Sequence, residues 1–325
     1  MIEVLALPPV STVQDLGRDG HWFQGLGRAG AMDALAHRAA NLLLGNDETA
    51  ATLEIPLTPA QFRFAARTSF ALAGAACDAT LDGRALPRIW AGIAEAGQLL
   101  ALGGMRTGAR IYIALPGGID VPGVLGSRST QLREGFGGFH GRVLMPGDLL
   151  KPMQADAAEL PEAGLSLELP ALWQPGEQAI LLRALASTEH DSFTEAARAA
   201  FWTTPYAVTR QGNRQGFRLE GAPLDRNSAG ELRSHGIVPG IVQVPGGGQP
   251  IIQLADSATM GGYPKIAAVI APDFWRIAQA RPGDQLRFVR VDVVEAAAAE
   301  VEEAALLEQW RVGLRAQRAL CRSWC

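Results

Sequence analysis

Asp256, Thr259, Tyr263 and Lys265 fall close together in one short polar segment, with Gly261-Gly262 between them allowing close backbone approach. A carboxylate there would act as a base or an orienting group. A phenol and an ammonium would polarise a carbonyl or neutralise a carboxylate, a carbamate or a developing oxyanion. His235, at the head of the same stretch, adds an imidazole that changes charge near neutral pH. Two apolar runs, Ile241–Val244 and Ile251–Leu254, precede the polar segment. The loop Pro245-Gly246-Gly247-Gly248-Gln249-Pro250 joins them, so the stretch also reads simply as a hairpin followed by a surface loop.

Asn213-Arg214 sets a planar amide beside a guanidinium. Asn reads an amide edge and Arg grips a carboxylate at two points, which suits a substrate carrying both groups; a surface turn entering a strand has the same spacing. Gln243 and Gln253 lie in the apolar runs and Gln249 in the loop. A buried Gln must be hydrogen-bonded, so each is a structural cross-link or a substrate contact. Gln14, Asp15 and Arg18 surround an early turn, either as a turn-stabilising pair or as part of a site beside the first helix. Asp33, His37 and Asn41 recur at i, i+4 and i+8 as one polar stripe, expected to be a solvated face, with a cleft wall as the alternative. No other His or Cys stands at ligand spacing from His37, so no metal site is expected. Gly25-Leu26-Gly27-Arg28-Ala29-Gly30 matches G-x-G-x-x-G but lacks an alternating βαβ context, and reads as a flexible lead-in to a helix whose free N–H groups suit an anion. No phosphate-binding P-loop and no Ser/His/Asp or Cys/His order is present.

The elements that must position these groups are mostly strands. Alternation marks Gln61–Phe64, Ser69–Leu72, Arg110–Leu115 and Gln285–Phe288. The 37 glycines and 20 prolines punctuate the chain into short strands. Helices are expected over Ala31–Leu44, from a capping box at Ser192-x-x-Glu195 to Trp202, and over Val294–Leu320, where Val294, Ala297, Val301, Ala304, Leu307, Trp310 and Leu314 form one stripe. The expected fold is mainly β: a barrel-like domain over residues 1–153, an Ala/Glu/Pro-rich linker over 154–176, a second barrel over 177–291 and a C-terminal helix over 292–325.

The 325 residues are 48% apolar and 19% charged, with a net charge of −4, which describes a globular chain with no basic surface for nucleic acid. No apolar run is long enough to span a membrane. Met1–Asp15 has no basic n-region and is broken by Pro8-Pro9, so no signal peptide is expected. Three cysteines without a Cys-x-x-Cys pair suggest neither a disulfide framework nor zinc, and point to the cytoplasm.

Several segments together resemble the biotin-dependent carboxyltransferase family, which includes bacterial ATP-dependent 5-oxoprolinase C subunits, second allophanate-hydrolase-type subunits and the carboxyltransferase domain of urea carboxylase. They are TVQDLGR (Thr12–Arg18), GAMD (Gly30–Asp33), ANLLLGN (Ala40–Asn46), GGIDVPGVLGSRST (Gly117–Thr130), NRQGFRLEG (Asn213–Gly221), SHGIVPGIVQVP (Ser234–Pro245), GQPI (Gly248–Ile251) and GGYPKIA (Gly261–Ala267). The family pattern has Met where this chain has Gln215, and Gln-Thr-Thr where it has Ala258-Thr259-Met260. The resemblance implies two cyclophilin-like barrels and work alongside A and B subunits, opening 5-oxo-L-proline to L-glutamate with ATP used by the complex. Its alternatives are carboxyl transfer from carboxybiotin to urea or another amide, with biotin carried on another polypeptide, and a non-catalytic regulatory role. Under the first reading Asp256, Tyr263, Lys265 and His235 are the catalytic candidates. Asn213, Arg214, Gln243, Gln249, Thr259, Gln14, Asp15, Arg18 and Asp33 are the binding candidates.

Overall fold

The computed structural model describes residues 1–155, 160–173, 176–228 and 232–323, with side chains to residue 319. The expected linker therefore lies partly outside the described residues, as does Cys325. The chain divides into two compact units, one of residues 1–18, 29–170 and 305–325, the other of residues 19–28 and 171–304.

The first unit is built on β1 (Ile2–Ala6), β2 (Thr12–Gln14), α1 (Ala34–Leu44), β3 (Thr52–Pro56), β4 (Ala60–Phe64), β5 (Thr68–Leu81), β6 (Trp90–Ala94) and β7 (Leu99–Ala114). With three two-residue strands they make a ten-stranded antiparallel sheet whose central path runs β6-β5-β7-β4-β1. Alternation does the sorting. In β4, Ala60, Phe62 and Phe64 are buried while Gln61 and Arg63 face water. The inward set joins Ile2, Val4, Val13, Leu53, Phe70, Leu72, Leu100, Ile111 and Ile113 in one core.

The polar stripe of α1 does not face solvent. Asp33 is 2% exposed and His37 and Asn41 are fully buried, so the solvated-face expectation is corrected. The helix is buried on nearly every side, and a helix so placed keeps polar residues only where each finds a partner. Asp33 caps it by accepting from the Ala36 N–H at 2.8 Å, leaving that helix start to its own carboxylate. His37 meets Thr52 Oγ1 at 2.8 Å and the Glu48 carbonyl at 3.0 Å, and Asn41 donates to the Ala50 carbonyl at 2.8 Å.

The second unit contains β8 (Ile180–Ala186), α2 (Glu195–Thr203), β9 (Tyr206–Val208), β10 (Gly216–Glu220), β11 (His235–Gly236), β12 (Ile241–Gln243), β13 (Ile251–Gln253), β14 (Met260–Gly261), β15 (Lys265–Val269), α3 (Phe274–Gln279) and β16 (Gln285–Arg290). Seven of these strands close a barrel in the order β8-β15-β12-β13-β10-β9-β16, and the parallel β8–β16 pair completes the ring. Ile180, Leu182, Phe201, Tyr206, Val242, Ile252, Ile266 and Phe288 are fully buried, with Phe201 stacked on Phe288 at 4.4 Å between ring centroids. The cap of α2 is Thr194, whose hydroxyl accepts from the Ala197 N–H, not Ser192. Ser192 belongs to a preceding turn of 3-10 helix, and its hydroxyl donates to the Glu189 carbonyl instead.

The last helix, α4 (Val293–Ser323), buries Ala299, Leu307, Trp310 and Leu314 but leaves Val294 and Val301 exposed. The expected single stripe fails for a geometric reason. At about 100° per residue, Val294 and Leu314 point in nearly opposite directions, so one straight helix cannot bury both on one surface.

Candidate functional site

The groups able to do chemistry gather on one side of the closed barrel. β12 and β15 pair with Gln243 opposite Lys265, and residues directly opposite in a ladder project to the same face. The register shifts between the Val242–Ala267 pair and the Gln243–Lys265 pair, and Gln243 and Lys265 are both only 3% exposed. Gln253, on β13, donates to Gln243 Oε1 at 2.9 Å, and Gln243 Nε2 reaches the Tyr263 carbonyl at 3.4 Å. The result is a row of carboxamides leading to an ammonium. Tyr263 itself is half exposed.

The short β11–β14 ladder, with His235 opposite Gly261, folds over this row. It brings His235 Nε2 to 2.5 Å from Lys265 Nζ. His235 Nδ1 lies 2.9 Å from the Arg233 carbonyl. A carbonyl only accepts, so Nδ1 carries a hydrogen and Nε2 is the nitrogen turned to the site. Glu189, from the loop after β8, completes the cluster. Its Oε1 is 3.2 Å from His235 Nε2, and its Oε2 accepts from the Lys265 backbone N–H at 3.2 Å. Burial lowers the Lys265 pKa, while the Glu189 carboxylate partly restores it.

Other expected site residues of this unit take different positions. Arg214 and Asp256 form a two-point ion pair with each other. Asn213 Oδ1 accepts from the N–H groups of Gln215 and Gly216, closing a turn. Gln249 clamps Gly221 at both ends of its amide, accepting at 2.9 Å and donating at 3.2 Å. Thr259 contributes its carbonyl to the Ile237 N–H and is half-buried.

Gln14, Asp15, Arg18 and Asp33 belong to the first unit. Asp15 Oδ1 accepts from Gly17 N–H, Ser127 Oγ and Ser129 Oγ, and Oδ2 from Arg128 N–H. Arg18 is 1% exposed, donates to the Ser129 carbonyl at 2.7 Å and lies over the Phe136 ring. Gln14 donates to Thr12 Oγ1 at 2.9 Å. Together they pin the segment Ser127–Gln131.

Sequence reasoning alone misses Glu189. Its one signal is a carboxylate just before the turn that leads into α2, and only the barrel closure carries it to Lys265. Among the described residues no group of three or more His, Cys, Asp or Glu has metal-binding geometry.

A closed seven-stranded barrel carrying an amide row that ends in a lysine frames this site, and the comparisons identify the class of protein. Residues 24–290 match the family described as carboxyltransferase domain, subdomain A and B, and the chain belongs to that family. It is 42% identical over 314 residues to the C subunit of 5-oxoprolinase from Escherichia coli (strain K12), covering 96% of this chain and 99% of that protein. It is 31% identical to the urea amidolyase of Saccharomyces cerevisiae, over 88% of this chain and 16% of that protein. The crystal structure of Kluyveromyces lactis urea carboxylase superposes with a TM-score of 0.88 at 27% identity, covering 96% of this chain and 29% of that one.

Proposed function

We propose that this chain is a C-type subunit of an ATP-dependent 5-oxoprolinase, acting with A- and B-type partner subunits to open 5-oxo-L-proline to L-glutamate. The observation that carries this reading is the 42% identity to a 5-oxoprolinase C subunit over nearly the whole of both chains. The chemistry of the barrel wall supports it. A cyclic amide needs hydrogen-bond partners for its N–H and C=O, and the Gln253–Gln243 row offers carboxamides of both kinds. The substrate also carries a carboxylate, and Lys265 is the ammonium at the end of that row. It is one of two lysines in the chain. In this reading Lys265 and His235 exchange protons with the reacting amide, and Tyr263 flanks them.

Lys265 stands beside the Glu189 carboxylate, and the guanidinium of Arg214 is already paired with Asp256. That is a poor match for a triphosphate. ATP is therefore assigned to the assembled complex, where it supplies activation of the lactam carbonyl. The cytoplasm is the expected compartment.

The test is ATP-dependent glutamate release from 5-oxoproline by the complete complex, with this chain present, omitted or carrying Lys265→Ala. Activity that requires the chain and falls at least a hundredfold in the variant, with the complex still assembled, is the expected result. An intact complex without activity on 5-oxoproline overturns the reading. It would favour carboxyl transfer from a partner's carboxybiotin to an amide, the alternative supported by the urea amidolyase similarity.

A further inference from the structure

We propose that Glu189 is the positioning residue of a proton relay, in which His235 carries protons between solvent and the buried amine of Lys265. Three observations meet here. Lys265 is 3% exposed, whereas the His235 side chain is 42% exposed. His235 is thus the open end of a path whose closed end is the amine. The Nδ1–H bond to the Arg233 carbonyl fixes the ring so that Nε2 alone faces Lys265. Glu189 Oε1, 3.2 Å from that nitrogen, faces a lone pair when the imidazole is neutral and an N–H when it is charged. The carboxylate therefore lies beside the proton passed between His235 and Lys265 and favours its staying on the pair. Among the described residues, Glu189 and His235 are the titratable groups at this amine; Tyr263 presents its carbonyl at 3.5 Å.

The role in the reaction rests on the 5-oxoprolinase reading; the relay geometry does not. Opening the lactam breaks the ring C–N bond, and the electron pair stays on nitrogen. An oxygen from water ends on the carbonyl carbon. The nitrogen takes one proton from the Lys265 ammonium, Lys265 recovers one from His235, and His235 draws its own from solvent. The water that became carboxylate oxygen releases protons to the same solvent, so the step balances.

The two lysines make a direct test available. Lysine labelled with 13C at Cε gives two resonances in the full chain, assigned with Lys265→Met. The expected wild-type Lys265 signal titrates in two steps, because two coupled groups share their protons. His235→Asn should leave a single step for Lys265. Glu189→Gln keeps an acceptor for the Lys265 backbone N–H but removes the charge, and should lower the Lys265 midpoint by about one pH unit. A single-step Lys265 titration in wild type, unchanged in both variants, overturns the relay. In the complete complex, Glu189→Gln should cut kcat about tenfold with KM for 5-oxoproline unchanged, and Glu189→Asp should recover part of it. A wild-type complex that releases no glutamate counts against the 5-oxoprolinase reading alone, and the titration still decides the relay.

Discussion

Arg214 and Asp256 hold each other at two points, Nε to Oδ2 at 2.9 Å and Nη2 to Oδ1 at 3.0 Å, with the side chains 7% and 8% exposed. The backbone repeats the link, since the Asp256 N–H donates to the Arg214 carbonyl at 3.0 Å. The pair ties the turn before β10 to the turn after β13. Removing one partner leaves a buried charge without its counter-ion. Asp256→Ala and Arg214→Ala should each cost about 3–5 kcal/mol, read as a fall in urea midpoint. A loss of activity in either variant without a stability loss would mean that the pair acts on substrate.

His37 makes stability depend on acid. Complete burial pushes its pKa down to about 4, against an ordinary value of 6.5. The unfolded chain therefore binds a proton at higher pH than the folded one. Stability is lost as pH falls from about 6.5 towards 4, and the loss levels off below that. A shift of this size corresponds to about 3 kcal/mol. Unfolding midpoints of wild type and His37→Gln between pH 7 and pH 4 should converge as the pH drops. Parallel curves would remove His37 as the cause.

Asp15 is an acceptor for four donors, and an amide in its place would point two N–H groups at some of them. Asp15→Asn should destabilise by about 2–3 kcal/mol. Ser127→Ala removes one donor and should cost about 1 kcal/mol. Thermal unfolding separates the two, and equal losses would mean that the carboxylate charge is unimportant.

Gly261 lies against the amide row. A Cβ there would stand 2.6 Å from Gln243 Nε2 and 3.2 Å from Ile237 Cδ1. Gly261→Ala should push the Gln243 amide away from the Tyr263 carbonyl and raise KM for 5-oxoproline severalfold, with a stability loss of about 1–2 kcal/mol. An unchanged KM would show that Gln243 does not bind substrate.

Much of this protein follows from local pattern alone. Strict alternation in segments such as Gln61–Phe64 assigns strands and their inner faces, because side chains in a strand alternate with a period of two whatever the partner. The family is likewise legible in short runs such as Ser234–Pro245, since they sit at the turns and ladders that close the barrel. What faces what was decided only by the tertiary structure. The Asp33, His37 and Asn41 stripe has the spacing of a solvated face, and packing buries it. Arg214 and Asp256 are 42 residues apart, and only the β10–β13 pairing joins them. Glu189 lies 76 residues from Lys265, beyond any spacing rule, and reaches it because the barrel closes β8 onto β15. Local periodicity specifies elements; the contacts that tune a buried amine arise from ring closure, which no local window of sequence contains.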